Sequence, residues 1–499
     1  MDCTCILVMV MLACHWTGAL RLSRIQLGPL FEDPDGPAAV AFRYAIGIHN
    51  NNRTDSTFSF QYYSTSFKPI SKSDDAVTYI TSVCEMMGSG SFALIANHKP
   101  SLWNIAKSYS AAYHMPYFTV APVTEPEEDK ESYVMSMRPP DTDALADVID
   151  FFNWRKIHFV YNIFPALDRL EQLRTALRKR GKYVDVSLIR VRELRNVSDD
   201  LRQINTSLML TPHANCNILL DLETQDDTAT VIKALVDMKM STKRYHILIT
   251  GMDVKSYDYE SLSSTGARVT GMTLIEESRH EVKAFLDGWS SLDPRQWPGA
   301  GEKQVTSTAA LVYDAVSVFS AVLDGFLQKD ADIFRNTFRR GLVYNNNEKG
   351  IQCHVQPRPW MHGIMLRDGF KQVDIQGLTG RVVFTDSGQR KNYKLTIMTA
   401  YNRASLRKIG VWTDIRGLKI TDKNAHVLTD IDQPEMPTDQ VIEIERILGD
   451  NTNGPAKRLD PKEACGGNGA ETLSIITPWT VIITIVCTWS YLQGLGYLS

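Results

Sequence analysis

Catalysis needs reactive side chains at set spacings, and a search for them along these 499 residues returns little. There is no His-Glu-x-x-His helix, no Gly-x-Ser-x-Gly elbow, no phosphate-cradling loop and no paired Cys-x-x-Cys. His98, His158, His246 and His354 are scattered without ligand spacing, so no metal site is expected. The acidic run Glu125–Glu131 reads as a solvated loop, and Gly88-Ser-Gly90 precedes a strand instead of following one, so it reads as a turn. The expectation is therefore no catalytic residue, no cofactor and no enzyme. The chemistry that remains is modification. Asn52-Arg-Thr, Asn196-Val-Ser and Asn205-Thr-Ser are acceptor sequons in polar surroundings, glycosylated if the chain enters the secretory path.

The amino terminus points to that path. Met1–Cys14 is a short apolar run, and Thr17-Gly-Ala19 supplies small residues for cleavage, so residues 1–19 read as a signal peptide, although no Lys or Arg precedes the run. Removing it takes Cys3, Cys5 and Cys14 with it. Cys84, Cys216, Cys353, Cys465 and Cys487 are left to an oxidising compartment. Cys216 borders an apolar strand and reads as a buried free thiol. At 43% hydrophobic and 22% charged, the chain has the composition of a globular protein, and its net charge of -3 gives no reason to expect a nucleic-acid partner.

The elements that must position these residues alternate. Ile25–Phe31 reads as a buried strand and Ala38–Ile48 as a helix, followed by strand Phe58–Tyr62, helix Asp75–Met87, strand Phe92–Ala96, helix Leu102–Tyr113 and strand Tyr117–Ala121. This is how an open parallel sheet with right-handed crossovers begins. A second series follows from helix Asp143–Trp154 and strand Lys156–Tyr161 to strand Tyr245–Thr250, with Gly181 ending a basic helix over Ala166–Arg180. Later, two β-rich runs, Arg381–Thr385 and Asn392–Met398, flank Asp386-Ser-Gly388 as a hairpin, and Leu406–Trp412 is a further strand.

Four motifs, Ala41-Phe-Arg-Tyr-Ala45, Phe151-Phe-Asn-Trp154, Thr308-Ala-Ala-Leu-Val-Tyr-Asp-Ala-Val316 and Gly377-Leu-Thr-Gly-Arg381, occur in an order that resembles the amino-terminal domain of ionotropic glutamate receptors of the kainate type. The likeness runs from about Ile25 to Leu418. It implies an α/β fold of two doubly wound lobes, a periplasmic-binding-protein-like (type I) clamshell with three interlobe crossings. Lobe 1 would hold about 20–140 and 276–380, and lobe 2 about 141–275 and 381–420. The resemblance also implies a disulfide between Cys84 and Cys353. It implies pairing of lobe 1 into a homodimer or heterodimer through Ala38–Ile48 and Asp75–Met87, and contacts with receptor subunits or synaptic proteins. Relatives that hold an α-carboxylate use hydroxyls and N–H groups in loops after lobe-1 strands; the matching positions here are Ser101 and Thr124, with Lys99 as a cation. That loop departs from the family's Gly-Pro-Ser form, so an amino-acid ligand is the alternative reading and recognition of other proteins the first.

Beyond Leu418, residues 421–467 read as a polar linker. Residues 468–499 read as a glycosylphosphatidylinositol signal, with Asn468, Gly469 and Ala470 as the small-residue site and Asn468 the attachment residue, or as a single membrane-spanning tail. Pro478 and Gln493–Gly496 interrupt the apolar run in both cases. One apolar run cannot build a pore, which needs several spans of about 20 residues. The reading is an extracellular, membrane-tethered recognition module on the plasma membrane, with a truncated receptor subunit as the remaining alternative.

Overall fold

The computed structural model describes residues 24–51, 61–63, 76–123, 129–209, 215–295, 297, 305–353, 356–401 and 405–422. The expected signal peptide, Asn52, Thr124, the linker beyond 422 and Asn468 lie outside them.

The first β/α series contributes strands β1 (Arg24–Leu30), β2 (Gln61–Tyr63), β3 (Ser91–Ala96), β4 (Tyr117–Thr119) and β5 (Val134–Ser136), with helices α1 (Pro37–Asn51), α2 (Ala76–Gly88) and α3 (Trp103–Tyr113). They form a five-stranded parallel sheet in the order β2-β1-β3-β4-β5. Every residue of β3 is buried, as a strand covered by helices on both faces must be.

The second series runs α4 (Thr142–Phe151), β6 (Lys156–Tyr161), α5 (Pro165–Lys179), β7 (Asp185–Arg190), α6 (Val197–Met209), β8 (Cys216–Asp221), α7 (Gln225–Asp237), β9 (Tyr245–Ile249), α8 (Tyr259–Ser263) and β10 (Arg268–Thr273). Helices α9 (His280–Ser290) and α10 (Ser307–Lys329) follow, then the short strands β11 (Phe338–Arg339), β12 (Leu342–Asn345) and β13 (Glu348–Lys349), helix α11 (Gly363–Lys371), and strands β14 (Asp374–Gly377), β15 (Gly380–Phe384) and β16 (Arg390–Lys391). The last described strands are β17 (Lys394–Ala400), β18 (Arg407–Thr413) and β19 (Gly417–Ile420). The second sheet has eight strands in the order β19-β18-β17-β10-β9-β8-β6-β7. Its β/α part is parallel, and its last three strands join antiparallel.

The fold is thus the two doubly wound lobes implied by the resemblance. The chain passes from the first to the second after β5, back after β10, and across again before β17. The third passage differs from the simple hairpin read from the sequence. Strand β15 pairs with β16 only at Val383↔Lys391 and Phe384↔Arg390, with Gly388 at φ 82° in the connecting turn. Asn392 then adopts φ 57°, and β17 leaves the hairpin to lie between β10 and β18. All residues of β17 after Lys394 are buried, so the strand needs a sheet neighbour on each edge and cover on each face, which a free hairpin does not provide. Residues 380–391 stay with the first lobe, where Ser136 N–H donates to the Gly388 carbonyl at 2.8 Å.

Helix α10 is long and apolar enough to cross a bilayer, but Leu311, Val312, Val316, Val318 and Phe319 are wholly buried in the core. Thr306 caps it, accepting from the Ala309 N–H at 3.2 Å. Its buried Asp314 accepts from the Leu378 and Thr379 N–H groups at 2.6 and 2.9 Å, so two motifs 64 residues apart in sequence meet through one carboxylate. Burial raises that carboxyl's pKa; hydrogen bonds from the Thr379 side chain and backbone oppose the rise. A disulfide joins Cys84 of α2 to Cys353 beyond β13, 269 residues apart. Cys216, in β8, is buried and unbonded, and burial pushes its thiol up to about 12.

Candidate functional site

In open parallel sheets, ligands bind beyond the carboxyl ends of the strands, where connecting loops and helix N-termini gather. Here the two sheets present those ends to each other and enclose a cleft of about 470 Å³. From the first lobe it is lined by Phe31–Asp33 after β1, Asn97–Pro100 after β3, and the first residues of α1. From the second it is lined by Asp221–Asp226 after β8, Thr250–Asp253 after β9, and Arg169, Leu170 and Leu173 of α5. The first crossing adds Arg138, Asp141 and Thr142, and the start of α10 adds Thr306 and Thr308.

The wall on the first-lobe side is set by His98. One ring nitrogen, Nδ1, bonds the Lys99 carbonyl at 2.9 Å and the other, Nε2, meets the Thr119 hydroxyl at 3.1 Å, while the ring stacks on Trp103 with centroids 5.6 Å apart. Burial lowers its pKa to about 4, so the ring is neutral: Nδ1–H donates to Lys99, and Nε2 accepts from Thr119. Lys99 is thereby held at the cleft lip. The expected hydroxyl donor Ser101 is not part of the lining. Pro100–Leu102 forms a 3-10 turn closed by the Leu102 N–H to the Lys99 carbonyl at 3.0 Å; Leu102 is buried and Ser101 is exposed.

The opposite wall is ionic. Arg169 grips Asp221 with two bonds, Nε to Oδ2 at 3.0 Å and Nη2 to Oδ1 at 2.7 Å, and the Thr250 hydroxyl donates to the same carboxylate at 3.0 Å. Two of the five N–H donors of this guanidinium are committed to Asp221. Asp253 accepts from the Ser307 N–H at 2.7 Å and from the Gln225 amide at 3.2 Å, which ties the second-lobe loop to the start of α10. Burial raises the Tyr257 hydroxyl to about 12, so it stays a neutral donor at the cleft.

Between the walls, Arg138 reaches toward Gly251, where a Cβ would lie 3.6 Å from its Nη2. Gly251 adopts φ 91°, a conformation open to glycine at no steric cost. Among the described residues the cleft carries seven carboxylates, Glu32, Asp33, Asp141, Asp221, Glu223, Asp226 and Asp253, against the cations Lys99, Arg138 and Arg169. No group of three His, Cys, Asp or Glu among the described residues could hold a metal ion.

Of the three ligand candidates read from the sequence, the structure brings Lys99 to the cleft and leaves Ser101 outside it, while Thr124 lies outside the described residues. Asn196 is exposed, ending a 3-10 turn before α6, and Asn205 falls on α6. Sequence reasoning missed Arg138, Asp141, Arg169 and Asp221. Arg138-Pro-Pro-Asp-Thr142 carries a signal for a helix start at Asp141, but an aspartate that precedes a helix reads as a cap, and only the fold shows it lining a cavity.

Comparison with known proteins matches residues 37–401 to the family described as receptor family ligand binding region. A glutamate receptor of Lymnaea stagnalis is 27% identical over 415 residues, which cover 83% of this chain and 44% of that receptor. The chain spans less than half the length of that relative.

Proposed function

Since this chain belongs to the receptor family ligand binding region, we propose that it is the extracellular head of a glutamate-receptor-like protein, recognising a small ligand in the cleft between its lobes. The observation that carries this reading is the 470 Å³ cleft at the carboxyl ends of both parallel sheets, with the Arg138 guanidinium turned into it and no described group accepting a hydrogen bond from it. Pockets of this size suit amino-acid-scale ligands. A thermal-shift screen of small amino acids and amines tests it. A ligand at 100 times its dissociation constant adds about 2.7 kcal/mol, and the reading fails if no compound moves the transition.

Tethering and pairing belong to the same proposal, as does the kainate-type affinity of the four motifs. The apolar run Thr472–Ser499 supports attachment to a membrane through Asn468 or a single span; release by a phosphatidylinositol-specific phospholipase separates the two. For pairing, the supporting observation is Val77 of α2, 70% exposed in a first-lobe helix. Helix α1 is less available: its Tyr44 packs edge-on against Phe285 and Trp289 of α9, at 5.6 and 5.8 Å. The pairing face, with a second copy or a receptor subunit, therefore narrows to α2 and its neighbourhood. A Val77→Asp variant remaining as associated as the parent in sedimentation would remove this face.

A further inference from the structure

We infer that the cleft takes a basic α-amino acid, a zwitterion of net positive charge, with Arg138 receiving its carboxylate, Asp141 its α-ammonium, and the acidic far side its cationic side chain. This rests on the reading of the cleft as a ligand site.

Two side chains forgo the partners that local structure offers them. Asp141 stands at the N-cap of α4, where an aspartate ordinarily accepts from the second or third helix N–H and stabilises the helix; here it makes no such bond and lines the cleft instead. Arg138 lies three residues earlier and donates to no described acceptor, although the pair is close enough to interact through charge. The two thus present one positive and one negative group on the same stretch of the first crossing, as an α-amino acid requires. Neither is the Lys99 loop implied by the family resemblance.

The remaining charge decides the side chain. Arg169 faces Asp221, and the lining as a whole holds seven carboxylates against three cations. The N-termini of α1, α4, α7 and α10 all open at the cleft, and each brings about half a positive charge. Together they offset about half of the four-charge deficit in the lining, so the cleft stays acidic. An acidic dicarboxylate such as glutamate is repelled there, and a second ammonium or a guanidinium is drawn in. Asp33 and Asp226, both exposed, stand on opposite walls, where an extended cationic side chain meets them.

Titration calorimetry on the full secreted chain tests this with L-ornithine, L-glutamine, L-glutamate and putrescine. Ornithine is expected to bind at least about tenfold more tightly than glutamine or putrescine, which is about 1.4 kcal/mol, with no heat from glutamate. Asp141→Asn and Arg138→Gln should each weaken ornithine at least about tenfold while leaving the melting temperature in place. Should a variant fold poorly, the putrescine comparison still reads the carboxylate contact in the parent protein. Equal or tighter binding of glutamate or glutamine overturns the inference and leaves the cleft reading standing. Ornithine binding undiminished in both variants overturns the assignment of Arg138 and Asp141. No heat from any of the four overturns the inference; if the wider thermal-shift screen is also silent, the cleft reading falls with it.

Discussion

The two lobes face one cleft but are held by different physics. The first is closed covalently by Cys84–Cys353, and its cleft wall is set by neutral groups, with His98 bonded to Lys99 and Thr119. The second holds its one described free cysteine buried and sets its wall with the Arg169–Asp221 pair. Arg192 and Asp200 make a further ion pair nearby in sequence, at 2.8 Å. The contrast bears on ligand chemistry. The neutral brace holds Lys99 through its backbone carbonyl, whereas the ionic brace directs the guanidinium that α5 brings to the cleft onto Asp221. The cation left between the walls is Arg138, on the crossing that belongs to both.

Removing the covalent tie should break the symmetry of stability most. Replacing Cys84 and Cys353 by serine frees a loop of 269 residues and is expected to cost about 5 kcal/mol in the loop-entropy account. Amide exchange should rise in β1, β3 and α2 well before β6 and β8; equal loss in both lobes would show that they unfold as one unit. Next, Arg169→Met leaves Asp221 buried without its cation, at a cost of about 4 kcal/mol. The double change with Asp221→Leu should recover much of it in urea unfolding, and failure to recover would locate the effect in packing.

Acid should act through the buried histidines. The folded pKa of His98, about 4, lies below its unfolded value near 6.5, so the unfolded chain takes up the proton first. Its contribution is complete above pH 6.5 and lost as pH falls toward 4, about 3 kcal/mol at most. His362 of the first lobe, also lowered to about 4 by burial, acts in the same window. His246, held well below its ordinary value by burial beside Arg268, adds the same sign from the second lobe. A His98→Gln variant should flatten the first-lobe part of the pH dependence measured by denaturation between pH 4 and 7. The smallest effect is expected at the crossings, where the Tyr393 hydroxyl donates to the Pro140 carbonyl at 2.7 Å. Tyr393→Phe should cost about 1 kcal/mol and fall equally on both lobes, since that bond ties the first crossing to the third.

Much of this molecule is readable along the chain. Strand and helix periods mark most elements of both β/α series, because burial on a sheet or a helix face repeats locally every two or three to four residues. The paired motifs around Asp314 and Gly377 predict the family. Helices α6 and α11 were missed although each carries a helical period, Val197, Leu201 and Ile204 in α6 and Leu366 and Phe370 in α11: α6 follows the largely charged stretch Arg192–Arg195, and α11 holds two glycines in nine residues, so other local signals point away from a helix.

What the sequence determined alone is the order of most elements, the class of fold and the positions of the acceptor sequons, all of which depend on neighbours within a few residues. The tertiary structure decided the rest. It chose β10 over β15 as the partner of β17, turned Asp141 away from its own helix, and left Ser101 outside the cleft that Lys99 borders. Each of those outcomes follows from which distant surfaces share one buried volume, and a choice among non-local partners leaves no mark on the residues on either side of it.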